Sequence, residues 1–519
     1  MAQSRHALFQ QFAASDWDGF LKGVEKEGLR VDAHGFIAQT PHPQALGSAL
    51  THPRITTDYS EALLELITPV FNSTGAMLES LRDIHRFVQQ NLQDEVFWAA
   101  SMPCEIDGDA SIPIAEYGSS NIGQLKHVYR QGLAVRYGRV MQSIAGVHYN
   151  MSLPDSFWQN WQQLLGNTES LRNFKSDQYF WLIRNFRRRS WLLMLLFGTS
   201  PALDASFVAG VQHDLARFDD QTWFGEAATS LRMGDLGYHN NAQASLNICF
   251  NELGTYTKTL DRAIHTNWPA YEAVGTRRDD GQFIQINTNV LQIENEYYSA
   301  VRPKRTAESG EKPIQALDAR GVEYIEVRCL DLDPFSPVGI TAEQVDFLDL
   351  FLLDCLLSDS PRIDDRECER LDDNYKDVVA SGRSLSVTLC KAGERVPVGV
   401  AATGILDGLQ PLAEQLDALQ GGETYRKALA VQQAKLAGDE WSVPSARVLH
   451  AMRESGLGHR DWVLAMSRQH QQTLRSEALS DETLAEFQSQ SAGSLVEQEE
   501  LEASDPRPFA EFLDAYLKS

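Results

Sequence analysis

In four stretches of the chain, polar side chains keep to one parity while structural residues take the other, the period-two pattern of a strand with two unlike faces. The first, Gly23 to Val31, sets Glu25 and Glu27 on one face. Two carboxylates that close repel unless a cation or proton sits between them, although a solvated strand face also carries Glu-x-Glu. The second runs from Thr56 to Pro69. A helix would align Asp58, Glu61 and Glu65, and a strand would align Glu61 with Glu65, so a carboxylate face survives either reading. Leu66-Ile67-Thr68-Pro69 leans towards β structure and proline stops a ladder, which favours a strand ending at Pro69 over an amphipathic helix with a capping box.

The third stretch, Gln142 to Leu153, predicts a strand whose apolar parity is Val147, Tyr149, Met151 and Leu153 and whose polar parity is His148, Asn150 and Ser152. A half-buried strand facing solvent alternates in the same way, but such faces usually carry Lys and Glu, and this one has neither. In the fourth, Gly321 to Arg328, Tyr324, Glu326 and Arg328 share a face opposite Ile325 and Val327. Glu326 and Arg328 form an ion pair there, or Glu326 holds a cation and leaves Arg328 for an anion.

Beyond about residue 340 the pattern turns helical, with helices expected over Thr341 to Leu357 and Thr424 to Leu436. This divides the chain into 1–350, where strands and helices mix, and a mainly helical 351–519, with no repeat or linker to sharpen the border. From Ser476 onward there are 11 acidic residues against only Arg507 and Lys518. With Phe509, Phe512, Leu513 and Tyr516 near its end, this segment reads as a solvated acidic helix docked by one apolar face, or else as an interaction tail.

At 519 residues, 43% hydrophobic and 23% charged, the chain is long enough for a large compact enzyme. A net charge of −25 disfavours nucleic acid and anionic membrane surfaces as partners. Six cysteines lie far apart without a Cys-x-x-Cys pair, against both a disulfide framework and a thiolate zinc site. The longest apolar block, Trp191 to Phe197, is too short to span a bilayer and no basic-then-apolar leader opens the chain, so a cytoplasmic protein is expected. P-loop, zincin and serine-hydrolase motifs are absent.

Several carboxylates and one imidazole make an oxygen-rich donor set suited to Mg²⁺ or Mn²⁺, and Mg²⁺ sites are usually completed by phosphates, which points to chemistry on ATP. Positive charge for a nucleotide is available at Arg184 to Arg189 and at Arg302 to Arg305. The first cluster reads foremost as a surface basic patch; the second suits a patch or a site equally.

These segments resemble, in order, the proteobacterial type of glutamate-cysteine ligase. The resemblance rests on V-E-K-E-G-L-R-V (24–31), I-T-T-D-Y-S-E-A-L-L-E-L-I-T-P (55–69), Y-G-S-S-N (117–121), G-V-H-Y-N (146–150), A-T-S-L-R-M-G-D-L-G-Y (228–238), N-V-L-Q-I-E-N-E-Y-Y (289–298), R-P-K-R (302–305) and E-Y-I-E-V-R (323–328), and covers about 20–340. It implies an α+β fold like that of glutamine synthetase, an antiparallel sheet forming a funnel-shaped active site surrounded by helices. It implies ATP-dependent phosphorylation of the L-glutamate side chain and attack by the amine of L-cysteine, the first step of glutathione synthesis, in a monomer inhibited by glutathione. The metal ligands fall on Glu25, Glu27, Asp58, Glu65, His148 and Glu326, and the phosphate-facing arginine on Arg328. The cysteine pocket falls on Tyr59, Tyr129, Leu133, Gln142, Arg232, Tyr238 and Tyr298; Arg302 and Arg305 are candidates for ATP. Competing readings are a related ligase using another amine, a metal-dependent phosphohydrolase, and a scaffold that binds partners through its acidic tail.

Overall fold

The computed structural model describes residues 3–236, 246, 248, 250–308, 311–438 and 441–518. At its centre lies an antiparallel sheet whose main strands are β1 (Leu21–Val31), β2 (Ile55–Thr57), β3 (Leu63–Ile67), β4 (Val147–Ser152), β5 (Val301–Lys304) and β6 (Tyr324–Leu330), in the spatial order β2-β3-β1-β4-β6-β5. The helices that matter below are α1 (Thr74–Asn91), α2 (Asn121–Tyr137), α3 (Leu171–Phe197), α4 (Ala342–Leu357), α5 (Asp365–Ser381), α6 (Asp481–Ser504) and α7 (Phe509–Lys518). This is the α+β antiparallel-sheet architecture expected from the sequence.

Alternation decides which face is dry. Val24, Leu64, Leu66, Val147, Tyr149, Met151, Ile325 and Val327 are all buried on one side, in the same hydrophobic cluster as the apolar residues of α3 and α4. At about 25 cal/mol per Å² of apolar surface, this burial is the main adhesive of the fold. Two lysines of β1 share that dry face: Lys26 lies over the Phe97 ring, and Lys22 pairs with Asp349 on α4, whose other oxygen accepts from the Tyr149 hydroxyl. A buried charge is tolerated only when paired and hydrogen-bonded, so this network fixes how α4 meets β1 and β4.

Three expectations need correction, and the mainly helical C-terminal part adds one short hairpin to its helices. The stretch from Thr56 to Pro69 is a hairpin and not one strand. Asp58 N–H bonds Leu63 O, and the Glu61 carboxylate accepts from the backbone N–H groups of His42 and Glu116, which turns Glu61 away from Glu65. The third strand begins only at Val147, because Gln142 lies in a 3-10 turn, Val140–Ser143. The helical C-terminal part contains a hairpin, Thr388–Lys391 with Glu394–Pro397, turned by Ala392 and Gly393 at positive φ. The arginine run is not a surface patch. Arg184 donates to Ser360 O and Asn251 O, Arg188 pairs with Glu367 at 2.7 Å and Arg189 with Asp354, so these side chains clamp α3 to α4 and to the chain entering α5. No helix among the described residues is long and apolar enough to cross a membrane.

Several histidines are neutral: His52 and His459 are buried and His42 is half-buried. Burial pushes His42 down to about 3 and His52 and His459 down to about 4. Each stays unprotonated in the native state while its unfolded counterpart takes a proton near 6.5, so its stabilising contribution is complete above that pH and is lost as pH falls towards 4. Urea unfolding followed from pH 7.5 to 4.5 should therefore have a shallower acid slope in His459→Gln than in the parent, by at most about 1.4 kcal/mol per pH unit. Parallel slopes would mean that His459 is protonated in the folded protein.

Candidate active site

The other face of the sheet is polar, and register brings its side chains together. Glu27 stands opposite Glu65, Glu25 opposite His148, and Glu326 opposite both Asn150 and Arg302. Residues directly opposite in an antiparallel pair share a face. One ligand atom each from Glu25, Glu65 and His148 lies within 4.8 Å of the others. His148 Nδ1 is 3.2 Å from Glu25 and 3.8 Å from Glu326, and its Nε2 is 3.5 Å from Glu27. Asn150 donates to Glu25 at 2.9 Å, and Gly146 N–H donates to Glu27 at 2.7 Å.

The charges on this face are not evenly answered. Burial pushes the Glu326 carboxyl up, but Lys304, Arg328 and His148 outweigh it and hold the group well below the usual carboxylate range. Arg328 Nη1 is 3.1 Å and Lys304 Nζ 3.5 Å from it. For Glu25 burial is likewise outweighed, chiefly by the hydrogen bond with His148. Glu27 is pushed up by burial. Glu65 is pushed well up, first by burial and then by Glu25, Asp58 and Glu27. The donor set of carboxylates and one imidazole fits a hard divalent cation, and Asn150 Oδ1 is a buried acceptor without a partner beside it. Asp58 stands at the edge of this group on the β2–β3 turn, its side chain 46% exposed and 3.9 Å from Arg130.

A cavity of about 580 Å³ opens beside the Arg328 end of this face, and Asp58, Arg302 and Arg328 line it. Its wall also includes Tyr59, Tyr129, Leu133, Gln142, Arg232 and Tyr298. Six of the seven residues named for an amine pocket are thus brought together, although they come from a hairpin turn, a helix, two 3-10 turns and a loop. The seventh, Tyr238, lies outside the described residues. Arg328 Nε is buried without a partner, a donor available to an anion. Arg302 is committed to the backbone oxygens of Asn295 and Tyr297, so its charge reaches the cavity but its fork is partly used. Arg305 has the opposite parity to Lys304, bonds Arg320 O and stands 3.6 Å from Glu323, away from the cavity lining.

Sequence reasoning missed Lys304 as a site residue, although the signal was available: on a strand it shares parity with Arg302, and it faces Tyr324 across the ladder. It also missed Arg130, and it named Arg187 only within a basic run read foremost as a surface patch. Arg130 Nε donates to Asp58 O. Arg187 leaves the arginine run to line the cavity, where its fork lies 3.3 Å from Cys368 Sγ and 3.0 Å from Asp372. The basic run marks Arg187 in the sequence, whereas no pattern marks Arg130, whose partner Asp58 lies in a distant segment.

A profile described as glutamate-cysteine ligase matches residues 6–378. The glutamate-cysteine ligase of Hahella chejuensis is 55% identical over 501 residues, 96% of this chain and 95% of that protein. That of Azotobacter vinelandii is 53% identical over 502 residues, covering 96% and 94%. Among solved structures, the glutamate-cysteine ligase of Francisella tularensis in complex with AMP superposes with a TM-score of 0.89 at 35% identity, covering 96% of this chain and 98% of that one. A bifunctional glutathione synthetase from Pasteurella multocida shares the fold, at TM-score 0.72 and 23% identity, over 91% of this chain and 55% of its own.

The electrostatics of the face yield a test that needs no substrate. Glu65 has a raised carboxyl, so ionising it costs folded-state stability, a cost absent below its unfolded value and growing as pH rises above it. In EDTA, Glu65→Gln should raise the thermal midpoint over the parent, and the gap should widen from pH 5 to pH 8. A midpoint lowered at every pH would show that the carboxylate is structurally engaged.

Proposed function

The chain belongs to the glutamate-cysteine ligase family, and from that premise we propose that it joins the side-chain carboxylate of L-glutamate to the amine of L-cysteine, with ATP cleaved to ADP and phosphate, through a γ-glutamyl phosphate. A carboxylate is a poor electrophile. Transfer of the terminal phosphoryl group of ATP to a glutamate oxygen creates a leaving group, with ADP released as the P–O bond breaks. The cysteine nitrogen then attacks the acyl carbon and phosphate departs, so no nucleophile from the protein is required.

The observation that carries this reading is a single juxtaposition. Glu326 lies between Arg328 at 3.1 Å and Lys304 at 3.5 Å, on the same face as the Glu25, Glu65 and His148 cluster. In this reading Glu25, Glu27, Asp58, Glu65, His148 and Glu326 would hold Mg²⁺ or Mn²⁺, which supplies charge neutralisation at the phosphate oxygens. Arg328, with Nη1 bonded to Glu326, presents its unpartnered Nε to the transferring phosphoryl group, and Lys304 adds a second point charge. Tyr59, Tyr129, Leu133, Gln142, Arg232 and Tyr298 form the cysteine pocket, to which the family resemblance adds Tyr238, outside the described residues; aromatic rings suit a weakly polar sulfur. Burial pushes the Tyr298 hydroxyl up to about 12, so it stays protonated, and it donates to Met233 Sδ at 2.9 Å. Arg302 supports the nucleotide site electrostatically from its backbone-bonded position. We assign residues 1–350 to the catalytic region and 351–519 to a helical region packed on it, in a cytoplasmic monomer subject to inhibition by glutathione.

The decisive assay measures ADP release with glutamate fixed and the amine varied. Cysteine should support turnover, and water alone should not. L-2-Aminobutyrate, whose methyl replaces the thiol, should also be joined, at a cost of no more than about 1 to 3 kcal/mol in selectivity, because the nitrogen performs the chemistry. Phosphate release independent of glutamate would instead identify a phosphohydrolase. Inactivity with 2-aminobutyrate beside good activity with cysteine would put the sulfur in the reaction.

Arg328→Lys keeps the charge but loses the fork. It should lower kcat more than it raises KM for ATP, by the roughly 2.7 to 4 kcal/mol typical of losing one transition-state donor. Unchanged turnover with reduced thermal stability would make Arg328 a structural partner of Glu326 only.

A further inference from the structure

The acidic C-terminal segment has no part in the chemistry above, yet it is bound to an element that lines the cavity. α7 lays Phe509, Phe512, Leu513 and Tyr516 against Leu125 and Val128 of α2 and against Phe283 and Ile286 of a loop distant in sequence. Leu513 is 4% exposed, Leu125 6% and Ile286 2%. Among the described residues this cluster is separate from the main core and draws its buried members only from these three segments. The rings of Phe283 and Phe509 meet edge to face at 5.2 Å, and Lys312 Nζ sits 5.4 Å from the centre of the Tyr516 ring.

The chain leading into α7 is also tied to the start of α2, whose own cap is the Ser120 hydroxyl accepting from Gly123 N–H. Asn121, the first residue of α2, donates to Arg507 O at 3.0 Å, and Ser119 N–H donates to the Glu502 carboxylate of α6 at 2.9 Å. A ten-residue helix is not stable alone in water, so α7 is ordered by α2, and the outer face of α2 is kept dry by α7.

About one turn further along, α2 is joined to the segment that carries Tyr298. Gln292 donates to Tyr129 O at 3.1 Å and accepts from Ile286 N–H at 3.1 Å. Gly132 is needed at that crossing, since a Cβ there would lie 2.1 Å from Gln292 Oε1. Arg136 reaches Gln285 at 3.0 Å, Asn287 O at 2.9 Å and Glu296 at 3.1 Å. α2 and residues 283–298 therefore form one slab, with Tyr129, Leu133 and Tyr298 on the cavity side and α7 sealing the seam on the outside.

We propose that α7 is a positioning element for the amine-substrate wall: by clamping the outer seam between α2 and the 283–293 loop, it sets where Tyr129, Leu133 and Tyr298 stand and so fixes the affinity for cysteine. The proposal rests on the assignment of the cysteine pocket given above. It makes the C-terminal segment a determinant of substrate binding and not a solvated appendage or a partner-binding tail. Because α7 touches neither the carboxylate face nor Arg328, its effect is confined to one substrate.

The test uses the full chain with Leu513→Asp, which places a charge in the seam, beside Leu513→Met, which refills it. Leu513→Asp should lose hydrogen-exchange protection in 122–137 and 285–298 and raise KM for cysteine about tenfold or more, in keeping with the cost of displacing a positioning wall by an ångström. KM for ATP should change less than about twofold, and Leu513→Met should restore the parent values. Tyr516→Ala, at the more exposed end of the helix, should act in the same direction more weakly and covers the case in which Leu513→Asp does not fold. Leu133→Ala, inside the pocket, separates the two readings. If Leu133→Ala raises KM for cysteine while the α7 variants lose protection without raising it, the clamp is overturned and the pocket stands. If none of them moves KM for cysteine, the pocket assignment fails and the clamp fails with it. Unchanged protection of 122–137 in folded Leu513→Asp, or an equal rise in KM for ATP, also overturns the proposal.

Discussion

Like-charge crowding on one face of the central sheet is the constraint that organises this protein. Glu25, Glu65 and His148 bring ligand atoms within 4.8 Å of one another, with Glu27 and Glu326 in reach of the same imidazole. Left alone, such a face would push its strands apart. The sheet holds because its opposite face is dry and because register leaves no alternative: a slip of one residue in β1 would send Glu25 and Glu27 into the apolar layer and Val24 into the charged one. The Lys22, Asp349 and Tyr149 network adds a directional lock to that apolar layer, so β1 and β4 cannot slide against α4 without stranding a buried charge.

The counter-charges show which carboxylates the protein answers by itself. Glu326 has two cations and an imidazole close by, Glu25 has His148 and Asn150, and Glu27 has the Gly146 N–H. Glu65 has no hydrogen bond or ion pair among the described residues, and three carboxylates raise its carboxyl further. A divalent ion would complete a charge balance that the fold leaves open at this position. The same reasoning explains why Arg328 lies one strand turn from Glu326: the pair is stable without ligand, while the remaining Nε is held ready for an anion.

The part of this arrangement made by strands was legible in the sequence, and the part made by turns and helices was not. Period two is a local signal, so Glu25, Glu27, His148 and Glu326 could be assigned to one face from their own neighbours. The β2–β3 hairpin defeated that logic because Glu61 is turned away by backbone N–H groups of His42 and Glu116, contacts 19 and 55 residues off in the chain. The arginine run misled for a similar reason: a dense positive cluster reads as solvated until Ser360, Glu367 and Asp354 are folded against it. The cavity wall, with Tyr129 and Leu133 on a helix of mixed character, was reachable through resemblance and not through periodicity.

This division has a chemical consequence. The residues suited to phosphoryl transfer sit on strands locked by register, whereas those suited to selecting the amine sit on a hairpin turn, a helix and a loop whose positions depend on packing from outside. A wall of the second kind can change its preference without disturbing the first. Tyr59 illustrates how: it is 1% exposed, lines the cavity, and its hydroxyl has no partner. A buried hydroxyl left unsatisfied costs about 1 to 3 kcal/mol, and Phe at the same place would remove that cost with little change of shape. The hydroxyl is therefore a fixed polar demand on the cavity wall, one that a bound amino acid can meet only with a donor or acceptor of its own. It sits one residue from Asp58, at the point where the strand-borne and packing-borne halves of the site join.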